Sequence, residues 1–292
     1  VDNPGRGAAY SATVLAPLAA LTTIADLPEV VAANDRAREA CTRLRWHQAL
    51  RRRIPEGAAE SRIRGAWASA ELDGARSDLD VVRDLMRGAR DRSTAPDPAE
   101  QVIHGAMAAT AATESLGAQL RQAPRQAIAR LHLAAAAELV PEEELGRPRP
   151  SGRDCTEFAI LGPAAPSAAA AARLDALDPI LAEPDLPALV VAGIAHAEIA
   201  HARPFTRGNG IVARAVERTV IKTAGLDPTG VAVPEVGHHR RGAAAYHGAL
   251  AAYGQGTRAG IVVWLEHCAD ALVAAADEGH AIADAVLAGR LR

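Results

Sequence analysis

The densest run of chemistry-bearing groups in the chain is Arg203-Pro204-Phe205-Thr206-Arg207-Gly208-Asn209-Gly210-Ile211-Val212-Ala213-Arg214. Pro204 stops the apolar, helix-period run before it, and Gly208-Asn209-Gly210 permits a tight turn through positive φ. Helical periodicity resumes after the turn, so the first backbone N–H groups there have no partner inside the helix. Those donors and the positive end of the helix dipole attract anions. Arg214, about one turn in, can return its guanidinium fork over the same spot, with Arg203 and Arg207 as further clamps. The spacing predicts an anion site at the Gly208–Gly210 turn, crowded by Arg203, Arg207 and Arg214. No catalytic residue is identified within it, because guanidinium stays protonated and has no lone pair to take a proton. The plainer reading is a helix–loop–helix corner with solvated arginines.

The stretch resembles the signature of the Fic (Fido) family, HPFxxGNGRxxR: Pro204, Phe205, Gly208, Asn209, Gly210 and Arg214 match. Ala195-His196-Ala197-Glu198 resembles the helix leading into that motif, and Trp264 sits where a late helix often carries Trp. Residues 147–163 are similar to the family's flap hairpin, and Ser69-Ala70-Glu71-Leu72-Asp73-Gly74 to its inhibitory motif [S/T]xxxE[G/N]. The likeness spans about 60 to 275. It implies an all-α Fic fold of about ten helices with a small β-hairpin flap. It also implies kinship with adenylyltransferases, which move AMP from ATP to a hydroxyl of a target protein aligned by the flap. In the family the motif His is the general base and a motif carboxylate holds Mg²⁺. Here Arg203 and Arg207 stand at those positions, and Ile211 at that of the first motif Arg. Loss of the base costs about 10²–10⁴-fold, and a cation at 207 removes the Mg²⁺ ligand. The resemblance therefore implies ATP or another nucleotide or phosphate ligand held by Arg203, Phe205, Thr206, Arg207, Gly208, Asn209, Gly210 and Arg214, no seat for Mg²⁺, and weak or lost AMP transfer.

By the same resemblance Ser69, Asp73 and Gly74 form an inhibitory element, with Asp73 facing Arg214. Asp73 also reads simply as a C-terminal helix residue capped by Gly74. An active transferase with a base from outside the motif is the alternative, His238-His239, read as a loop, being the surrogate. A remoter reading takes Gly208-x-Gly210-x-x-Ala213 with Asp227 as a dinucleotide fingerprint, which requires a strand before the glycines. His196 and His201 echo HExxH, but five residues apart on a helix they lie about 140° from each other and cannot share a metal. The basic run Arg43–Arg53 reads as one amphipathic helix with a solvated face, and Trp46 and Trp67 as packing residues.

These groups must be positioned by helices. About 70 alanines against 3% aromatic residues favour closely packed helices over sheets. Helical periods run over 34–50, 56–73, 78–88, 98–121, 124–139, 167–182, 186–202, 209–224, 239–253 and 260–288. Prolines at 96 and 98 suggest two parts, 1–95 with the inhibitory-like helix and 96–292 with the Fic-like remainder. A net charge of -3 gives no attraction to nucleic acid or an anionic membrane. The 12–24 apolar stretch is too short to span a bilayer, and Arg6 alone is too little positive charge for a leader. Cys41, Cys155 and Cys268 have no disulfide or zinc-knuckle spacing, which fits the cytoplasm. A phosphorylated ligand, a target protein at 147–163 and a homodimer are the partners anticipated. The abundance of Arg over Lys, with Lys222 the single Lys, reads as composition bias.

Overall fold

The structure, a computed structural model, describes residues 18–291. Arg6 and the 12–17 part of the apolar stretch lie outside the described residues. The regular structure among these residues is helical throughout, thirteen α-helices and three short 3-10 turns. In order they are α1 (Leu18–Ala25), α2 (Pro28–Arg45), α3 (Ile54–Leu72), α4 (Leu79–Arg87), α5 (Pro98–Gln122), α6 (Pro124–Ala136) and α7 (Ser167–Asp175). Then come α8 (Leu177–Ala182), α9 (Ala188–Ala202), α10 (Asn209–Thr223), α11 (Pro234–Arg241), α12 (Ala243–Gly254) and α13 (Arg258–Leu287).

The antiparallel pair α9 and α10 forms the centre. Leu189 to Ala200 are all buried in α9, which is apolar around its whole circumference and is therefore covered on every side. Helices α5 and α6 pack against α10, while α11, α12 and α13 close the other flank. Helices α2 and α3 pack against α13 and α11, so residues on both sides of position 95, such as Val30, Leu44, Ala106 and Leu131, share one core. Asp97 starts α5 with a reciprocal cap: its carboxylate accepts from the Ala99 and Glu100 amides, and Glu100 accepts from the Asp97 amide. Helix α13 is long and apolar enough to cross a membrane, yet 56% of its most apolar window is buried inside the protein.

Several sequence-based boundaries shift. Helix α2 starts at Pro28, whose fixed φ suits a first helical position, and stops at Arg45. A separate 3-10 turn then covers Gln48–Arg51, so the basic run is not one helix, and Trp46 is 70% exposed rather than packed. Trp67 is half-buried, and its indole N–H donates to the Ser77 carbonyl at 2.8 Å. Positive φ at Gly242 divides the 239–253 segment and leaves His238 in α11, not in a loop.

Arginine also has a structural task that composition concealed. Arg218 in α10 forks onto Glu235 of α11 with two 2.8 Å bonds, and reaches the Ser61 hydroxyl of α3 at 3.1 Å. Both partners are buried, Arg218 at 5% and Glu235 at 1% exposure. Glu60 gathers Arg64 and Arg83, and Glu278 gathers Arg64 and Arg240. A planar five-donor fork can satisfy a carboxylate and a backbone group together, which a lysine ammonium does poorly.

Glu235→Ala strands the Arg218 charge in the core and should cost about 3–5 kcal/mol of stability. Glu39→Ala, which opens the exposed Arg43 pair, should cost less than about 1 kcal/mol. Urea unfolding followed by circular dichroism compares the two.

Candidate functional site

The turn between α9 and α10 is built by its own side chains. Gly208 takes a φ of 83°, the left-handed conformation that opens α10. Asn209 staples the turn: its Oδ1 accepts from the Phe205 amide at 2.9 Å, and its Nδ2 donates to the Phe205 carbonyl at 2.9 Å. The amides of Gly208 and Asn209 then point outward as a pair, and their acceptor is the Glu157 carboxylate. Gly208 N–H donates to Oε1 at 2.6 Å, Asn209 N–H to Oε2 at 2.9 Å, and Asn209 Nδ2 also to Oε2 at 2.8 Å. The turn thus holds a carboxylate at the N-terminus of α10, where the free N–H groups and the helix dipole favour one. Burial and the nearby charge of Asp73 push the Glu157 carboxyl above its usual range, outweighing the three donors that pull it down.

Glu157 arrives on the 147–163 segment, which contains no strand and carries only a 3-10 turn at Ala159–Leu161. The anticipated hairpin does not form because two arginines consume the backbone acceptors a ladder would use. Arg203 is 2% exposed, and its guanidinium donates to the carbonyls of Glu157, Phe158, Gly162 and Pro163 at 2.7–3.3 Å. In this form its Nη donors are directed to the carbonyls of this loop. Arg149 returns the clasp: its Nε donates to the Arg203 carbonyl at 2.8 Å and its amide to the Pro204 carbonyl at 2.7 Å. Further bonds run from Arg149 to the carbonyls of Arg153 and Ala165. Arg203 itself has a φ of 47°, an uncommon conformation for a residue with a Cβ, fixed by this clasp.

Arg214 lies 1% exposed under the same turn. Its Nε donates to the Ser69 hydroxyl and its Nη2 to the Ser69 carbonyl, both at 2.9 Å, and Nη2 meets Asp73 Oδ1 at 2.8 Å. Asp73 therefore spans the distance although it is one methylene shorter than glutamate. Burial opposes the Arg214 charge, but Asp73 and Tyr246 outweigh it and hold the proton more firmly than usual. The remaining Nη1 is buried with no hydrogen-bond partner. It lies beside Gly210, where a Cβ would stand 3.1 Å from it and 2.5 Å from Asp73 Oδ1, so a larger residue there would displace the Asp73 carboxylate. Gly74 follows with a φ of 85° and ends α3, so Asp73 is both a helix-end residue and the partner of Arg214.

A cavity of about 330 Å³ opens beside these groups, lined by Asp73, Glu157, Arg207 and His247, with Phe158 and Ile211 on its apolar wall. Arg207 sits there half-exposed, and Thr206 lies beside Glu144. Phe205 is buried and stacks on His132, ring centroids 3.8 Å apart. His132 carried no motif signal, yet it fixes the turn from below. Its Nδ1 accepts from the Gly146 amide at 2.9 Å, so Nε2 carries the proton and donates to the Arg207 carbonyl at 3.0 Å. Burial lowers its pKa to about 4.

The other sequence candidates fall elsewhere. His238 is fully buried and bonded to Glu217 and His267, so it cannot serve as a surrogate base. His201 turns to the Leu250 carbonyl at 2.6 Å and His196 to Glu217, in agreement with their opposite directions on α9. Asp227 is buried, accepting from the Thr229 and Ala232 amides. With helix α9 rather than a strand before the glycines, the dinucleotide reading is overturned. Cys155 lies against Asn209, and burial pushes its thiol up to about 11.

No family profile matches the sequence, and no curated protein matches it. Solved structures do. A Fic family protein from Desulfovibrio desulfuricans G20 superposes with a TM-score of 0.72 at 22% identity, over 87% of this chain and 75% of that one. Residues 134–508 of Fic-1 from C. elegans give 0.66 at 19% identity, over 87% and 74%. A Fic domain containing signaling protein from Bacteroides thetaiotaomicron VPI-5482 gives 0.60 at 13% identity, over 86% and 98%. The chain has the Fic fold.

His132 makes stability depend on pH in a definite direction. The folded imidazole resists protonation until about pH 4, whereas an unfolded one binds a proton near 6.5. Its contribution is therefore intact above about pH 6.5 and is lost as pH falls toward 4, to a limit of about 3 kcal/mol. His132→Gln should show a shallower loss over that window than the unsubstituted chain in parallel denaturation curves.

Proposed function

We propose that this Fic-fold chain binds a phosphorylated ligand, in the simplest case a nucleotide, and does not transfer AMP by the route of Fic adenylyltransferases. The supporting observation is the Glu157 carboxylate on the Gly208 and Asn209 amides. An anion already sits where a phosphate would be cradled, and the internal anion must leave before an external one enters. Asp73 similarly covers Arg214, while the unpartnered Nη1 of that arginine offers a further donor. The form described is thus a resting one, its two phosphate positions held by the protein's own carboxylates.

The missing chemistry follows from residue types. A guanidinium at 203 takes no proton, and Arg207 brings positive charge where a divalent cation would need a carboxylate. Arg207 at the cavity rim can instead neutralise phosphate directly. Mg²⁺ is not required on this reading. A second reading keeps transfer and assigns the base to His247, the single histidine lining the cavity among the described residues. Burial and the Arg214 charge hold its pKa below the usual value, so it is neutral at pH 7.

Titration calorimetry with ATP, ADP, AMP and phosphate tests the first reading. Removing an internal competitor with hydrogen-bonded charge is worth about 1.5–3 kcal/mol, so Glu157→Ala should bind nucleotide roughly 10- to 100-fold more tightly. Asp73→Ala should strengthen it further through Arg214. Absence of binding by the double variant at high micromolar nucleotide contradicts the proposal. Labelled ATP should leave no mark on protein with either chain; label with Glu157→Ala that vanishes in Glu157→Ala/His247→Ala would transfer support to the second reading.

A further inference from the structure

Away from the anion cradle, three helices bring a second set of groups together. His196 of α9, Glu217 of α10 and His238 of α11 are 0%, 3% and 0% exposed. His196 Nδ1 lies 2.6 Å from Glu217 Oε2, and His238 Nε2 lies 2.9 Å from the same oxygen. All three ligand-type atoms fall within 4.8 Å of one another. We propose that this triad is a binding site for a divalent transition-metal ion of the zinc class.

Two features favour a metal over a purely hydrogen-bonded cluster. The first is convergence: Glu217 and both imidazoles, each from a different helix, are enclosed in the core with their ligand-type atoms turned toward one another, and three protein ligands are what an open zinc-class site takes.

The second is the outer ring of partners. A ligating imidazole must point a lone pair at the metal and carry its proton on the other nitrogen, which then needs an acceptor. Here His196 Nε2 is 2.7 Å from the Tyr246 hydroxyl, and His238 Nδ1 is 3.1 Å from His267 Nε2. Both partners can accept. Each ring can thus carry a proton on its outer nitrogen while its inner nitrogen faces the ion. Two nitrogens and one oxygen suit zinc and its neighbours, not the all-oxygen preference of Mg²⁺ or Ca²⁺. Bonds of about 2.0–2.1 Å in a tetrahedron place ligands about 3.3 Å apart, so loading moves Glu217 a few tenths of an ångström from each ring and brings the two ring nitrogens, now within 4.8 Å of one another, to the same spacing. Three protein ligands leave the fourth position to water. The ion would tie α9, α10 and α11 together and fix Tyr246, which contributes to the field at Arg214.

The test uses the untagged full chain, incubated with excess Zn²⁺ or Co²⁺ and passed through gel filtration. Elemental analysis should find about one zinc per chain, and the cobalt form should show the intense visible bands of a four-coordinate ion. Glu217→Gln and His238→Ala should each lower retention at least tenfold. Should those variants fail to fold, the unsubstituted chain still decides: its melting temperature should fall on chelation and recover on adding zinc. Less than about a tenth of an equivalent retained by the unsubstituted chain overturns the site. So does cobalt without four-coordinate bands, or equal retention by a folded Glu217→Gln/His238→Ala chain.

Discussion

The N-terminus of α10 requires an anion, and the protein meets that requirement with Glu157. Two backbone amides and the Asn209 side chain converge on one carboxylate, at the positive end of a fifteen-residue helix. Such a cluster is unfavourable empty and favourable with any oxyanion of suitable reach. Much of the surrounding architecture follows from keeping this contact in place. Arg203 and Arg149 clasp the segment that delivers Glu157, His132 supports the turn, and Asn209 shapes it.

This arrangement gives Arg203 a physical reason that differs from catalysis. A histidine has two ring nitrogens and can serve few carbonyls; the Arg203 fork satisfies four. Arg203 therefore supplies the clamp that seats an internal carboxylate: its contacts hold the segment whose Glu157 reaches the Gly208 and Asn209 amides.

The helical fold and the turn were readable from residue types and spacing, since each depends on local periodicity or a short run of glycines, whereas the Asp73–Arg214 pairing came from the resemblance of Ser69–Gly74 to a family motif. Glu157 was not readable, although it lay inside the segment singled out at 147–163. Nothing in Cys155-Thr156-Glu157-Phe158 states that its carboxylate turns onto a helix some fifty residues away. The absence of the hairpin had the same origin: the acceptors of 157–163 are taken by an arginine remote in sequence. His196, Glu217 and His238 come from three separate helices with no local spacing to mark them, and only tertiary packing reveals the cluster. Trp46 misled in the opposite sense, because a large aromatic in a helical pattern implies burial, and the helix ends one residue earlier.

The central claim concerns one carboxylate, and carbon-detected NMR of the Glu157 carboxyl through a pH titration addresses it directly. The account predicts that this resonance titrates above the usual glutamate range near 4.3, in step with the amide resonances of Gly208 and Asn209. A Glu157 that titrates like an exposed glutamate, while those two amides stay unmoved, would contradict it.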